Sequence, residues 1–404
     1  MNRISSKIHI FFISMVILLM TTVPSFASKR TETFDLSPGQ KIVFDLKHGG
    51  SIDINGWDKP KAEITVSGRR DLDDFELTFD KTSYGLKITA SLDHQWKQNN
   101  SLSFILNVPH KIDVDFFSAG GGFSLKNVEG NFEGKTNGGG IELEDVKGNV
   151  DINTNGGGIN VINSEVDGKV HTNGGGVVVR DVAGNLSVST NGGAVTYKNV
   201  SRKNSKVNDS GHPYNSKDVV HITTMGGSID VDEVPYGAVV YTGGGSIQIN
   251  NADNYVEAKT GGGSIRINNA DKYVEAKTGG GAIDIKTKSG GIKATTGAGD
   301  IDVTIDQDTK NDGDVIIFTG SGDVSVTVPP KFSMELDIDL SYTRNSFKDY
   351  DIKSDFDFKI DKTDKWDYSN GSPRKHIYGT GKVAGGRHKI KIRSVNGDVE
   401  IKKK

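Results

Sequence analysis

Two short runs of alternating apolar and polar residues recur along the middle of the chain. From Ile141 the sequence reads IELEDVKGNVDINTN and from Val177 it reads VVVRDVAGNLSVSTN, so Ile141 matches Val177 and Ile152 matches Val188. Alternation with a period of two residues is typical of β-strands. Each repeat therefore predicts two short strands separated by a corner that contains glycine.

Glycine clusters define the length of this repeat. They recur every 18 residues on each side of one interruption, at Gly120–Gly122, Gly138–Gly140, Gly156–Gly158, Gly174–Gly176 and Gly192–Gly193, then at Gly226–Gly227, Gly243–Gly245, Gly261–Gly263 and Gly279–Gly281. Strands this short suit a coil in which each strand stacks on its counterpart one repeat later, about 4.8 Å away. The pattern predicts an all-β protein, a parallel β-solenoid (β-helix) with about 18 residues and two short strands per rung. We expect the coil to be right-handed.

The corners of such a coil constrain the residues that occupy them. A tight corner in every rung requires a positive φ or a close approach of two backbones, and glycine permits both. Asparagine tolerates a left-handed φ, and stacked asparagines form hydrogen-bonded ladders. Two neighbouring positions of the repeat therefore predict structural ladders. One row is Asn137, Asn155, Asn173 and Asn191, and the row beside it is Thr136, Thr154, Thr172 and Thr190.

Breaks in the repeat divide the chain. We expect a signal peptide at 1–27, an N-terminal β-rich cap with the first rungs at 28–118, the regular solenoid at 119–328, and a C-terminal β-rich cap with a closing rung at 329–404. His48–Ile54 resembles an early rung and Asn396–Ile401 a closing one. Caps are expected because bare strand edges invite pairing with other chains. Polar insertions at 201–216 and 306–312 both align with the mid-rung corner, so we expect them at one edge.

The beginning of the chain predicts export. Arg3 and Lys7 precede the mostly apolar run Ile8–Met20, and Ser25–Ala27 forms a small-x-small cleavage pattern. We expect cleavage after Ala27 and a protein that is periplasmic, exposed on the cell surface or secreted. An uncleaved membrane anchor is the alternative, and no membrane span is expected in the mature chain.

Composition narrows the classes of partner and chemistry. Without Arg3 and Lys7 the chain has 47 basic and 52 acidic residues, a net charge of −5. This balance argues against a nucleic-acid partner. The sequence contains no cysteine, which excludes disulfides, cysteine nucleophiles and thiolate zinc sites. The hydrophobic content of 34% suits a core that is one thin column of Val and Ile.

Several segments carry a resemblance to a known family. Gly49–Arg69, the Val108–Pro109 pair, the NGGGI repeats and the closing text NGDVEI resemble the bacterial putative adhesin family, an exported domain of unknown function made of β-strand repeats. The resemblance covers most of the mature chain. It implies a β-helical fold and export, but it implies little about the ligand and transfers no catalytic residues.

Calcium binding is the sharpest chemical alternative. Glycine-rich nonapeptides of the GGxGxD type bind Ca²⁺ in stacked turns, and hard calcium requires six to eight oxygen ligands. The NGGGI turns lack the aspartate, which occurs only at the scattered positions Asp300, Asp323 and Asp398. We therefore expect no metal site and no cofactor.

Catalysis has weaker support. Hexapeptide acyltransferases divide 18 residues into three sixes, whereas this chain divides them into two nines, and His171 and His221 lie in or beside strands. Glu142, Glu144 and Asp151 have the spacing of outward strand positions, which favours a solvated face. We expect no catalytic residue; a polysaccharide-active enzyme (lyase or hydrolase) with a site on the insertion edge is the alternative.

One pair of nearly identical rungs suggests a ligand face. Tyr255 and Tyr273 occupy the same position of the repeat. At another shared position one rung has Gln248 and the other has Arg266. A ladder of stacked aromatic rings suits sugars or a partner, but it also stabilises a stack through cross-strand pairs. We expect a non-enzymatic binding or scaffold protein that presents a repetitive face to a cell-surface protein or a glycan.

Overall fold

The described residues are all-β. The structure, a computed structural model, describes residues 28–404 except 69–70, 93–100, 202–218, 235–236, 253, 289–290, 308–312, 347 and 370. The predicted signal peptide and nearly all of the 201–216 insertion lie outside the described residues. The only helix within the described ranges is a short 3-10 turn, Leu72–Asp74. No helix in this part of the chain has the length and apolar content that a membrane crossing requires.

The strands fall into three groups along the chain. The first group is β1 (Ser28–Asp35), β2 (Lys41–Leu46), β3 (Gly50–Trp57), β4 (Lys61–Gly68), β5 (Phe75–Thr82), β6 (Gly85–Leu92), β7 (Leu102–Pro109) and β8 (Asp113–Ser118). The middle group is β9 (Phe123–Thr136), β10 (Ile141–Thr154), β11 (Ile159–Ile162), β12 (Glu165–Thr172), β13 (Val177–Ala183), β14 (Leu186–Thr190), β15 (Val195–Ser201), β16 (Val220–Thr224), β17 (Ile229–Val234), β18 (Ala238–Thr242), β19 (Ile247–Ala252), β20 (Val256–Thr260), β21 (Ile265–Ala270), β22 (Val274–Thr278), β23 (Ile283–Thr287), β24 (Ile292–Thr296), β25 (Ile301–Ile305), β26 (Val315–Thr319) and β27 (Val324–Val328). The last group is β28 (Met334–Thr343), β29 (Ile352–Ser354), β30 (Lys359–Lys362), β31 (Arg374–Val383), β32 (His388–Val395) and β33 (Val399–Lys403).

The middle strands form two parallel columns. Column A contains the strand that follows each glycine cluster, from the first half of β9 to β27, and column B contains the strand that precedes each cluster. In column A, Val177 pairs with Ile159 on one side and with Val195 on the other, a step of 18 residues in each direction. Column B has the same step, as in Val170 with Val188. The all-β prediction is confirmed, and these strands pair in parallel at the predicted register.

The core follows the alternation of the sequence. Val179 is fully buried, whereas its neighbour Val178 is only partly buried. Column A contributes mostly Ile and Val, and column B contributes Val, Ile and Ala beside a buried threonine. Burial of this apolar surface is the main favourable term in folding. The alternation in each column directs its apolar side chains toward the other column, so the core lies between the two.

Close approach of backbones explains the glycines at the corners. A Cβ at Gly139 would lie 2.1 Å from the carbonyl carbon of Gly121, so a side chain has no room there. The threonine at the end of each column-B strand bonds to the glycine corner one rung earlier: the hydroxyl of Thr154 donates to the carbonyl oxygen of Gly139 at 2.7 Å, and that of Thr172 to Gly157 at 2.6 Å. The predicted threonine row is therefore a row of buried hydrogen bonds.

The asparagine row forms the predicted ladder. Each Nδ2 donates to the Oδ1 one rung earlier, from Asn155 to Asn137 at 2.9 Å and from Asn173 to Asn155 at 2.8 Å. The left-handed backbone lies on a different row, at the mid-rung corner, where φ is 50–59° at Asn127, Asp145, Asn163, Asp181 and Asn199. Short polar side chains tolerate that conformation at little cost.

Both ends of the stack depart from the order of the chain. At the N-terminal end, β2 lies between β6 and β8, and β3 lies between β7 and β9. At the C-terminal end, β32 lies between β26 and β28, and β33 between β27 and β29. The expected early and closing rungs, β3 and β33, are thus inner layers of the stack.

Antiparallel strands cover these ends. At the N-terminal end β1 pairs with β4 and β5 pairs with β6, and at the C-terminal end β31 pairs with β28 and β30 with β31. The outer strand β30 is short and exposes all four of its residues. Charged, short outer strands discourage pairing with other chains.

Candidate functional site

The predicted tyrosine ladder exists but is largely buried. The rings of Tyr255 and Tyr273 stack with centroids 5.8 Å apart and an interplanar angle of 4°, and Tyr255 is only 3% exposed. The Tyr255 hydroxyl donates to Oε2 of Glu257 at 2.8 Å. Burial favours a raised pKa for the Glu257 carboxyl, but hydrogen bonds from Lys259 and Tyr255 outweigh it and lower that pKa. These contacts favour the structural interpretation of Tyr255.

The other two predicted ligand residues lie on a different column. Gln248 and Arg266 are exposed partners in adjacent strands of column A, whereas the tyrosines precede strands of column B. Nε of Arg266 donates to Oδ2 of Asp284 at 3.2 Å, and Nε2 of Gln248 donates to Oδ1 of Asn250 at 3.2 Å. The structure therefore divides the predicted ligand residues between two columns and engages these two with neighbouring side chains.

The three corner aspartates are stacked rather than scattered. Asp300, Asp323 and Asp398 each precede a column-A strand in three consecutive layers. The backbone N–H of Asp323 donates to Oδ1 of Asp300 at 2.8 Å, and that of Asp398 to Oδ1 of Asp323 at 2.7 Å. Their carboxylates cap the next layer, and the described residues contain no group of three His, Asp or Glu placed to hold a metal.

A groove that sequence analysis missed lies on the outer side of column A near its N-terminal end. It has a volume of about 390 Å³, and its polar lining residues are Ser51, Asp53, Ser124, Glu142 and Asn160. Strands β3, β9, β10 and β11 supply these residues. Asp53 pairs with Ser124, Ser124 with Glu142, and Glu142 with Asn160, so four of the five form a straight row across the strands.

A second pocket of about 300 Å³ continues this groove through the shared residue Ser51. It is lined by Ser67 and Ser103, which are register partners on β4 and β7, and the Ser51 hydroxyl donates to that of Ser103 at 3.1 Å. Together the two pockets, here called the trough, span six strands. At about 4.8 Å per strand, the trough is about 24 Å long. Ile105, the register partner of Asp53, flanks it and is 50% exposed.

The first pocket is open because one position on β9, β10 and β11 lacks a side chain. Gly122, Gly140 and Gly158, each directly before a column-A strand, line its floor. A Cβ at Gly140 would lie 3.2 Å from the nearest atom, the carbonyl oxygen of Gly158, so this position tolerates a side chain far better than Gly139 does. Later rungs do carry side chains there: Ala194, Ser228, Ser246, Ser264, Ala282, Asp300, Asp323 and Asp398.

Two carboxyl groups face the trough in different electrostatic settings. Desolvation in the groove raises the pKa of the Asp53 carboxyl, although its side chain remains exposed, and the charge of Glu142 adds to this effect while Lys126 opposes it. Nζ of Lys126 donates to Glu144 at 2.7 Å and to Glu142 at 3.3 Å, and these bonds raise the pKa of the Lys126 ammonium. The lining offers hydroxyl and amide groups, which donate and accept hydrogen bonds, and carboxylates, which accept them.

The sequence contains a partial signal for the trough. The change from glycine to serine, alanine or aspartate before column-A strands is visible in the repeats. The row itself is not visible, because Ser51 and Asp53 come from β3, which joins β9 only in the folded stack.

Comparisons with known proteins give distant likenesses. No protein-family model and no curated protein matches the chain. A solved structure described as a putative cell adhesion protein from Clostridium sporogenes is similar over 93% of this chain and 100% of its own, with 10% identity and a TM-score of 0.20. A putative adhesin from Bacteroides fragilis covers 62% and 97% with 12% identity and a TM-score of 0.30. One from Parabacteroides merdae covers 74% and 92% with 15% identity and a TM-score of 0.25.

These similar structures are bacterial proteins whose descriptions agree with the family that the sequence resembles. What the chain is similar to is thus a set of bacterial proteins described as adhesins or cell adhesion proteins.

Proposed function

We propose that this chain is an exported, non-enzymatic binding or scaffold protein of the adhesin type. In this proposal the stacked repeats form a right-handed β-solenoid that presents one long outer face to a cell-surface protein or glycan. The observation that carries it is the 18-residue register that recurs in both columns on either side of the insertions. This register aligns outward side chains in rows across many strands, a surface suited to an extended partner.

The proposal includes export. We propose the signal peptide at 1–27, the N-terminal cap at 28–118, the regular rungs at 119–328 and the C-terminal cap at 329–404. The mature chain then begins at Ser28, the first residue of β1. Mass spectrometry of the exported fraction tests this: an N-terminus at Ser28 supports it, and an intact Met1 contradicts it.

Binding and catalysis can be separated in one experiment. We expect the purified mature chain to be retained on a glycan array or by a cell-surface protein, and to release no reducing ends from the polysaccharides that it binds. The thermally unfolded chain is the control for nonspecific adhesion. Release of reducing sugar would contradict the non-enzymatic assignment and support the lyase or hydrolase alternative. Absence of any retained glycan would contradict the glycan part of the proposal.

A further inference from the structure

We propose that the trough on column A binds a linear, neutral oligosaccharide that lies across the strands, parallel to the stack. This inference deepens the proposed binding function and rests on it. It assigns a ligand class to one site, lined by Asp53, Ser124, Glu142 and Asn160 with Ser51 at the junction of its two pockets.

The shape of the trough favours a chain-like ligand. On β9, β10 and β11 its floor is the row Gly122, Gly140 and Gly158. On β3, β7 and β4 the row continues through Ser51, Ser103 and Ser67, so one small residue recurs about every 4.8 Å. The row of polar side chains runs beside this floor in the same direction. A ligand in the trough therefore meets the same kind of surface at each step, as a linear polymer of similar units requires.

The chemistry of the lining favours hydroxyl groups. The carboxylates of Asp53 and Glu142 accept hydrogen bonds, serine hydroxyls donate and accept, and the Asn160 amide does both. Hydrogen bonds to charged acceptors are stronger than neutral ones. Half-exposed Ile105, in the same row as Asp53, offers an apolar surface for the C–H face of a sugar ring.

The charges favour a neutral sugar over an acidic one. Asp53 and Glu142 both face the groove, and the nearest cation, Lys126, already contacts Glu142 and Glu144. A uronate or sulfate chain placed there would meet like charges, which are repulsive at short range. The overall negative charge of the mature chain acts in the same direction.

A peptide is a poorer occupant. Extended peptides often dock by adding a strand to an open sheet edge. The strands that line the trough have no open edge: β3 lies between β7 and β9, and β10 lies between β9 and β11. A peptide would have to rely on side-chain pockets, whereas the floor here consists of glycine and serine.

Filling the floor tests the site directly. Gly140→Ser places a hydroxymethyl group in the trough, and Ser246 and Ser264 show that the equivalent position of other rungs accepts serine. Isothermal titration calorimetry with the mature chain uses hexasaccharides of neutral glucan, mannan and xylan, and hexagalacturonate as the acidic probe. We expect a neutral hexasaccharide to bind, and Gly140→Ser to weaken it by about tenfold or more, with an unchanged melting temperature.

A second variant removes the charged acceptors without filling the floor. Asp53→Asn combined with Glu142→Gln keeps the size of both side chains, and we expect it to weaken binding by about tenfold or more, since each lost charged acceptor is a large fraction of the affinity. Asp302→Asn is the matched control: it removes an exposed outward carboxylate of the same column, on β25, outside the trough. It should leave the affinity unchanged.

The outcomes distinguish the site from the function. Equal affinity in the wild type and both trough variants, binding of hexagalacturonate alone, or no binding of any probe would overturn the proposal. Loss of binding in Asp302→Asn but not in Gly140→Ser would overturn the trough and leave the proposed binding function intact. Retention of some other glycan on the array, with none of the hexasaccharides bound, would do the same. Binding of a peptide by the wild type that is lost in Gly140→Ser would overturn the sugar assignment.

Discussion

Deletion of one whole rung tests whether the 18-residue repeat is the unit of the fold. Removing Ser264–Gly281 takes out β21 and β22 and joins Gly263 to Ala282, so the text after the junction is the same as that after Gly281. In column A, Ile247 and Ile283 are both register partners of Ile265. After the deletion they face each other directly, and the corner glycines stay in phase.

The expected cost is small because each rung contacts mainly its two neighbours. Folded proteins are stable by about 0.05–0.15 kcal/mol per residue. A rung of 18 residues therefore accounts for about 1–3 kcal/mol of the free energy of unfolding. The deleted protein should remain folded and soluble, with a modest loss measured by urea unfolding.

A half-rung deletion is the matched comparison. Removing Ser264–Lys272 joins Gly263 to Tyr273, so Val274 takes a column-A position and every later strand changes column. Lys288 would then fall beneath Gly261, where the present occupant Gly279 has room for no side chain: its Cβ would lie 2.2 Å from the Gly261 carbonyl oxygen. We expect a loss of several kcal/mol or failure to fold. Equal soluble yield and equal urea midpoints for the two deletions would refute the 18-residue unit.

Three further predictions follow from the core, the trough and the corners. Val179→Asp buries an unpaired carboxylate and should cost several kcal/mol in thermal unfolding, whereas Val178→Asp should cost far less; equal damage would mean that the inward and outward positions are misassigned. Because the Asp53 pKa is raised in the folded state, the unfolded chain loses this proton first, so stability falls as pH rises from about 3.8 to the raised value. Asp53→Asn should therefore gain melting temperature relative to the wild type above that window and show no gain below it; identical pH profiles would contradict the shift. Melting curves and circular dichroism should be the same in EDTA and in millimolar Ca²⁺, and a large calcium-dependent rise in β-signal would show that the corners bind the ion.

The regular part of the fold was predictable from the sequence because its determinants are local. Alternation with a period of two decides which side of a strand is apolar, and identical spacing of 18 residues places Val177 beside its counterparts in adjacent rungs. The buried threonine row and the ladder that begins at Asn137 follow from the same periodicity. In a stack of similar units, each contact repeats the previous one, so one period specifies many rungs.

Other features depended on which backbones approach each other. Gly139 is glycine because a neighbouring corner lies within 2.1 Å of its missing Cβ, and the left-handed residues lie at the mid-rung corner rather than on the asparagine row. Tyr255, a candidate for an exposed ligand face, is buried with its hydroxyl held by Glu257. The spacing of the sequence predicts that such residues form rows, but it does not predict how closely the backbones of adjacent rungs approach at each position.

The sequence by itself thus determined the strands, their period, their inward faces and the absence of cysteine chemistry. Only the tertiary structure decided the order of layers at the two ends. At the N-terminal end β2 and β3 each lie between two strands that come later in the chain, and at the C-terminal end the last two strands each lie between two strands that come earlier. The trough depends on that order, because Asp53 meets Ser124 and Glu142 only when β3 stacks on β9. Periodicity specifies contacts between successive repeats, whereas a strand that returns from outside the repeat finds its layer through the packing of the whole stack.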